Sequence, residues 1–243
     1  VGTGKTVTTA YTLSGTDAAN YTLVQASGLT ADITAKALTA AYTASNKVYD
    51  ALTGATVAGS SSDVIGSDAV TFSQSAAFGD KNVGTGKTVN VTSISLSGAD
   101  AGNYSLQNTS ATSTANITPY ALSISGITAA NKVYDGLTLA TLSGSASLGG
   151  VLGSDSVSVA GSAVGAFADK NVGTNKAILV SGLNLSGADA ANYTVGALSA
   201  TADITAKALT VAYTASNKVY DATTAATVSG SSSDVLGSDV VTF

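Results

Sequence analysis

The side chains that could do chemistry in this sequence are ten lysines and fifteen aspartates, set among small and hydroxylated residues. Histidine, cysteine, arginine and glutamate do not occur. The chain therefore offers no imidazole base, no thiolate nucleophile and no tetrahedral zinc site. It also lacks the bidentate guanidinium that clamps phosphate or carboxylate. With a net charge of −5, the composition argues against nucleic-acid binding, which needs a basic face.

One segment imitates a phosphate-binding loop. Gly84-Thr85-Gly86-Lys87-Thr88 ends like that motif, and Gly2–Thr6 repeats it. The full motif needs a further glycine where Lys81 stands, and a helix after it. The segment is therefore predicted to be a turn before a strand.

The aspartates recur along the chain, as Asp50, Asp68 and Asp80 show. A catalytic site would normally occur once, so this recurrence argues against an enzyme. A calcium loop needs several oxygen ligands close together. The pairs around Asp63 and Asp80 supply too few, so turn and capping roles are favoured. We expect no catalytic residue, no metal site and no cofactor.

Three other chemistries stay open. Lys47 or Lys132 near an asparagine could form an intramolecular isopeptide bond. Exposed aromatic residues could bind glycans, with Tyr42, Tyr49 and Phe72 as candidates, although their place in apolar strands favours core packing. Glycosylation acceptor patterns begin at Asn20, Asn90, Asn103, Asn108, Asn116, Asn184 and Asn192.

Internal repeats determine where these residues lie. Asn-Lys-Val-Tyr-Asp occurs at Asn46–Asp50, Asn131–Asp135 and Asn217–Asp221, and Asp-Lys-Asn-Val-Gly-Thr begins at Asp80 and Asp169. These strings divide the chain into four pieces. Residues 1–35 are the back part of a repeat, 36–118 and 119–205 are complete repeats, and 206–243 are the front part of another.

Each repeat is predicted to be built from strands. Apolar residues alternate with serine and threonine, and no helical period appears. In residues 36–118, strands are expected at 37–42, 47–49, 55–58, 69–73, 87–96, 104–106 and 114–117. A change of parity at Thr92-Ser93 predicts a bulge. Many short strands with frequent turns favour a sandwich.

A tight corner recurs before a tyrosine. Its residues are Asp17 and Tyr21, Asp100 and Tyr104, and Asp189 and Tyr193. The spacing resembles the tyrosine corner of immunoglobulin-like sandwiches. We therefore predict an all-β fold of tandem immunoglobulin-like β-sandwich repeats. The junctions, such as Ile33–Leu38, contain no flexible linker, so a semi-rigid rod is expected. No apolar run is long enough for a membrane helix.

The recurring strings resemble the YDG repeat of very large bacterial surface proteins of the filamentous-haemagglutinin-like adhesin type. They are Lys-Val-Tyr-Asp, Asp-Lys-Asn-Val-Gly-Thr-Gly-Lys, Leu-Ser-Gly-Ala-Asp-Ala-Gly-Asn-Tyr and Ile-Thr-Ala-Lys-Ala-Leu. The glycine of the naming motif stands only at Gly136, with Ala51 and Ala222 in its place elsewhere. The resemblance implies secretion to the bacterial cell surface and a role as extender modules, without catalytic or ligand residues.

The sequence therefore predicts non-catalytic stalk repeats of an extracellular bacterial adhesin or surface fibre. Their partners would be neighbouring repeats of the same chain, and copies of the chain if a fibre forms; nucleic acid and membrane insertion are not expected. One alternative is a self-assembling filament or sheath subunit, built by edge pairing or end-to-end strand completion. The second alternative is a glycan-binding module.

Overall fold

The protein is all-β. The computed structural model describes residues 1–243, and it contains twenty strands and three short 3-10 turns, at Ala18–Asn20, Ala101–Asn103 and Ala190–Asn192. No helix has the length and apolar character required to cross a membrane. Two compact units divide the chain, Val1–Thr118 and Pro119–Phe243.

The first unit contains ten strands. They are β1 (Gly2–Thr6), β2 (Thr30–Ile33), β3 (Lys36–Leu38), β4 (Ala41–Ala44), β5 (Lys47–Val48), β6 (Val57–Ser60), β7 (Thr71–Phe78), β8 (Gly84–Ser97), β9 (Tyr104–Leu106) and β10 (Ala111–Thr118). A four-stranded sheet has the order β5-β10-β8-β7, and three two-stranded pairs are β1-β2, β3-β9 and β4-β6. β3 pairs with β9, and β5 with β10, in parallel. The other pairs between named strands are antiparallel.

The second unit contains the other ten. They are β11 (Tyr120–Ala129), β12 (Lys132–Val133), β13 (Leu139–Ala140), β14 (Leu142–Gly149), β15 (Ser158–Phe167), β16 (Gly173–Ser186), β17 (Tyr193–Val195), β18 (Leu198–Thr205), β19 (Ala212–Ala215) and β20 (Val228–Ser231). A five-stranded sheet has the order β12-β18-β16-β15-β13, a three-stranded sheet the order β14-β11-β17, and β19 pairs with β20. The parallel pairs β11-β17 and β12-β18 match those of the first unit.

Alternation along the long strand β8 builds the core of the first unit. Val89 and Val91 are fully buried, and their neighbours along the strand are exposed. The register against β7 slips between Thr92 and Ser95, and Ser93 has a φ of 56°. The predicted bulge is therefore present. It brings Ile94 back to the buried face.

One predicted strand is interrupted. Residues 37–42 were expected to be continuous, but β3 ends at Leu38 and β4 begins at Ala41. Between them, the Thr39 amide donates to Asp63 and the Ala40 amide donates to Asn108. Because side chains from elsewhere in the unit take these two donors, neither is available for a sheet.

The core of the second unit lies where its two larger sheets contribute side chains to one cluster. Its buried members are Ala140, Phe167, Ile178, Val180, Ala202 and Ile204. Ile127 of β11 and Leu142 of β14 pack against this cluster from the three-stranded sheet. Alanine makes up part of this core, so a few large side chains supply most of the buried apolar surface.

Ala51→Gly is expected to stabilise the protein by up to about 1 kcal/mol. Ala51 has a φ of 64°, whereas Gly136 stands at the equivalent place with a φ of 80°. A left-handed conformation costs a residue with a Cβ about 1–2 kcal/mol, and the greater freedom of unfolded glycine offsets part of the relief. Urea unfolding measures the change. The control Ala58→Gly, in β6, should instead destabilise by about 0.5–1 kcal/mol.

Candidate functional site

Tyr104 is the centre of a polar cluster in the first unit. It follows the turn Ala101–Asn103, and only 7% of its surface is exposed. The Tyr104 hydroxyl donates to Asp68 Oδ2 at 2.6 Å and accepts from the Ile65 amide at 2.8 Å. The tyrosine thus joins the start of β9 to a loop more than thirty residues earlier in the chain. The hydrogen bond to Asp68, followed by burial, raises the pKa of Tyr104.

Asp100 binds the same loop by a reciprocal pair of hydrogen bonds. Its Oδ2 accepts from the Ala69 amide at 2.8 Å, and its own amide donates to the Ala69 carbonyl at 3.2 Å. Gly98 makes this approach possible because it has a φ of 113°, and a Cβ there would lie 2.2 Å from the Ala69 carbonyl oxygen. Asp100, Tyr104 and the loop that they bind are called the corner cluster below.

The second unit contains the same cluster. The Tyr193 hydroxyl donates to Asp155 Oδ2 at 2.7 Å and accepts from the Leu152 amide at 3.1 Å. Asp189 Oδ2 accepts from the Ser156 amide at 2.9 Å. Two predicted corners are therefore each brought together with an upstream loop through the same pattern of donors and acceptors.

The third predicted corner has different surroundings. Tyr21 is 72% exposed, and the only side-chain hydrogen bond of Asp17 is a 3.5 Å contact from Thr16. The turn itself is nevertheless the same, because Asp17 and Asp100 have almost identical backbone angles, as do Tyr21 and Tyr104. Residues 1–35 contain no counterpart of the loop at 63–69. The turn therefore forms locally, whereas burial of its tyrosine needs the loop.

Asp68 and Asp155 are the tyrosines' partners, and the sequence alone does not predict either pairing. A signal was present, because Gly-Ser-Asp recurs at 66–68, 153–155 and 237–239. Turns are the ordinary place for an aspartate that follows glycine and serine, so the string alone does not indicate a tyrosine partner. The pairing joins residues that are far apart in sequence, and no local pattern encodes such a contact.

Tyr104→Phe should lower the free energy of unfolding by about 1–3 kcal/mol, since it leaves a half-buried carboxylate and an amide without a partner. Urea unfolding followed by circular dichroism measures this change. Tyr21→Phe is the matched control, and its effect should stay within about 0.5 kcal/mol because the ring is exposed. Equal effects of the two substitutions would contradict the role assigned to the hydroxyl.

A second cluster surrounds the lysine of each Asn-Lys-Val-Tyr-Asp string. Lys47 Nζ donates to Asp50 Oδ1 at 2.7 Å, to the Leu52 carbonyl at 2.7 Å and to the Gly54 carbonyl at 3.0 Å. Lys132 makes the equivalent three contacts. All three protons of each ammonium group therefore have an acceptor. The three bonds hold the lysine against the loop formed by the seven residues that follow it. The isopeptide hypothesis for these two lysines stays a prediction.

The segment that imitates a phosphate-binding loop is part of a strand. Gly84 opens β8, which continues to Ser97 without a helix. The Gly86 amide donates to Asn116 Oδ1 on β10, and Lys87 Nζ donates to Asp80 Oδ1 at 2.7 Å. Lys176 and Asp169 form the same pair at 2.7 Å in the second unit. The glycines thus lie in a strand that pairs with β10, and the lysine binds the loop that precedes this strand.

Acid is expected to destabilise the fold only below about pH 4, near the unfolded pKa of aspartate. The hydrogen bond from Lys87 lowers the pKa of Asp80, and the bond from Lys176 lowers that of Asp169. A lowered folded pKa gives stability above the unfolded value that disappears as the pH falls through the folded value. Urea unfolding across pH 2–7 gives the free energy of unfolding of the parent chain and of the double variant Asp80→Asn/Asp169→Asn. Below about pH 4 this free energy should fall less steeply in the double variant than in the parent chain. An equally steep fall in both would contradict this assignment.

The other candidate residues lie as follows. Tyr42 and Tyr49 are buried, and the Phe72 ring stands edge-on to Tyr42 at 6.4 Å between centroids. No group of three or more aspartates is arranged to hold a metal ion. The recurrent polar residues thus form two kinds of internal cluster, which close loops and join strands.

Comparison with known proteins gives one family. The family model described as the YDG domain matches residues 34–113 and, a second time, residues 118–202. No curated protein and no solved structure matches the chain.

Proposed function

The chain belongs to the YDG domain family, and we propose that its repeats are non-catalytic extender modules in the stalk of a large extracellular bacterial surface protein. The adhesins of the filamentous-haemagglutinin-like type, whose repeats these strings resemble, are the class of parent protein that we propose. Each repeat would add length, and short junctions would hold direction, so that a distant part of the protein is carried away from the cell.

The observation that carries this proposal is that the recurrent polar side chains form hydrogen bonds and ion pairs within the protein. The corner cluster recurs in both units with the same partners, and so does the lysine cluster. An active site would leave an acid, a base or a nucleophile facing a cleft. Here the recurrent lysines and aspartates are bonded to one another and to the backbone, which is the arrangement that a load-transmitting module needs.

The proposal includes a finer description of the fold, as tandem immunoglobulin-like sandwiches in a semi-rigid rod. Side chains from both larger sheets of the second unit meet in one core cluster, which supports two facing layers. Only Ala206 separates Thr205 from Lys207, so this junction contains no Gly/Ser-rich linker. A junction of this kind is expected to be stiff.

Electron microscopy of the parent protein on cells tests the function. Deleting residues 119–205, one complete repeat, should shorten the projecting structure by the length of one module and leave its surface exposure to added protease unchanged. Deleting residues 36–118 should shorten it equally. A structure of unchanged length, or a protein protected from protease in intact cells, would contradict the stalk proposal.

A second candidate is a self-assembling filament. The eight-residue strand β14 stands at an edge of the three-stranded sheet of the second unit. A strand supplied by another copy would pair with such an edge. Sedimentation velocity of the purified chain distinguishes the two candidates, because a monodisperse monomer at micromolar concentration would count against assembly.

A further inference from the structure

Asp239 joins two repeats within the second unit. Its Oδ2 accepts from the Tyr134 hydroxyl at 2.6 Å, and its Oδ1 accepts from Lys170 Nζ at 2.7 Å. Tyr134 and Lys170 belong to the complete repeat 119–205, whereas Asp239 belongs to the following segment 206–243. Both carboxylate oxygens are therefore bonded by residues of the preceding repeat.

The two donors are arranged around each other. Lys170 Nζ lies 5.7 Å from the centroid of the Tyr134 ring, within the range of a cation–π contact. The hydrogen bond from Lys170, and then that from Tyr134, lowers the pKa of Asp239. The side chains of Asp239 and Lys170 are 24% and 42% exposed. An exposed pair alone would contribute little, but the half-buried carboxylate and its two donors constrain geometry as well as charge.

Most side chains beside this polar centre are apolar, and Lys207 and Asp234 also line the cavity there. The cavity beside it is lined from the complete repeat by Tyr134 and Val172, and from the following segment by Leu209, Leu236 and Val241. Leu236 also approaches the backbone at Gly136, because a Cβ added to Gly136 would lie 4.0 Å from Leu236 Cδ1. The two hydrogen bonds to one carboxylate, with apolar contacts beside them, favour one orientation of the following segment.

The same donor pair is present in the first unit. Lys81 Nζ lies 5.8 Å from the centroid of the Tyr49 ring, which reproduces the Lys170–Tyr134 arrangement. The sequence explains why, because each tyrosine comes from Asn-Lys-Val-Tyr-Asp and each lysine from Asp-Lys-Asn-Val-Gly-Thr. The strings recur together, and so does the arrangement that they build.

We propose that Tyr134 and Lys170 form a docking surface that selects its neighbour, and that the partner is a following YDG repeat with an aspartate in its Gly-Ser-Asp loop. A module with a neutral or basic residue at that position leaves the lysine and the tyrosine without their acceptor, and its junction loosens. The surface thereby holds direction along the array. This inference rests on the proposed stalk function and specifies how one junction achieves it.

Distance measurements between spin labels test the proposal on the full chain. Because the chain has no cysteine, Ser199→Cys in β18 and Ser216→Cys after β19 give one label on each side of the junction. Tyr134→Phe, Lys170→Met and Asp239→Asn should each broaden the distance distribution. Asp221→Asn is the matched control, since it removes the exposed Lys218–Asp221 pair inside the following segment, and it should leave the distribution narrow.

A charge-exchange variant distinguishes loss of the Lys170–Asp239 contact from unfolding of the protein. Lys170→Asp combined with Asp239→Lys should give a narrower distribution than either single replacement, and circular dichroism should match that of the parent chain. Distributions that stay narrow in all three single variants would overturn the proposal, and so would equal broadening by Asp221→Asn. The outcome is independent of cell-surface location, so a failed junction and a failed stalk function are distinguishable.

Discussion

Gly98→Ala and Gly187→Ala are each expected to lower the free energy of unfolding by about 3 kcal/mol or more. At both positions φ lies near 115°, a conformation that residues with a Cβ rarely adopt. A Cβ at Gly98 would stand 2.2 Å from the Ala69 carbonyl oxygen, and one at Gly187 would stand 2.3 Å from that of Ser156. The backbone must move to relieve the clash. Such movement separates Asp100 or Asp189 from its loop, so the corner cluster is lost as a unit.

Gly102→Ala is the matched control for this experiment. Gly102 lies four residues after Gly98, its added Cβ would meet no atom within 4 Å, and Ala191 occupies the equivalent place in the second unit. Its effect should stay within about 0.5 kcal/mol in either direction. Urea unfolding followed by circular dichroism gives all three values. If Gly98→Ala were as mild as Gly102→Ala, the close approach of the corner to its loop would not be required for stability.

Ile178→Ala should lower the free energy of unfolding of the second unit by about 2–5 kcal/mol. Ile178 is 0% exposed and belongs to the cluster that includes Phe167 and Ile204. Alanines fill other positions of that cluster, so few neighbouring groups are large enough to fill the cavity left behind. The loss therefore includes both the transfer of the side chain and the cavity that remains.

Leu179→Ala tests whether burial, rather than strand propensity, causes this loss. Leu179 is adjacent to Ile178 in β16 but is 60% exposed, so its truncation should change stability by less than about 0.5 kcal/mol. Denaturant unfolding of the two variants under the same conditions gives the comparison. Equal losses would mean that the two residues do not differ in burial and that the assigned core is wrong.

Both experiments bear on the proposed stalk. A module that transmits force needs contacts that join strands distant in sequence, and the corner cluster and the apolar core both provide such contacts. The corner connects β9 or β17 to an upstream loop, whereas the core connects the larger sheets. Weakening either should lower resistance to unfolding without removing any reactive group.

The sequence was sufficient for the local features of this protein. Alternation of apolar and polar residues predicted an all-β chain, and the parity slip at Thr92-Ser93 located the bulge in β8. The three corner turns depend on local sequence as well. They form with the same backbone angles even where Tyr21 remains exposed, since a 3-10 turn depends on residues within a few positions of one another.

Tertiary structure decided which distant residues meet. Tyr104 and Tyr193 select Asp68 and Asp155 as acceptors, and Lys170 reaches Asp239 across a predicted repeat boundary. The Gly-Ser-Asp string marks these three aspartates as recurrent, but it does not say which distant side chain each of them will meet. The interruption between β3 and β4 has the same origin, because side chains far along the chain take the amides of Thr39 and Ala40. Periodicity is a property of neighbours along the chain, whereas hydrogen-bond partners are fixed only when the sheets pack and bring remote loops within 3 Å of one another.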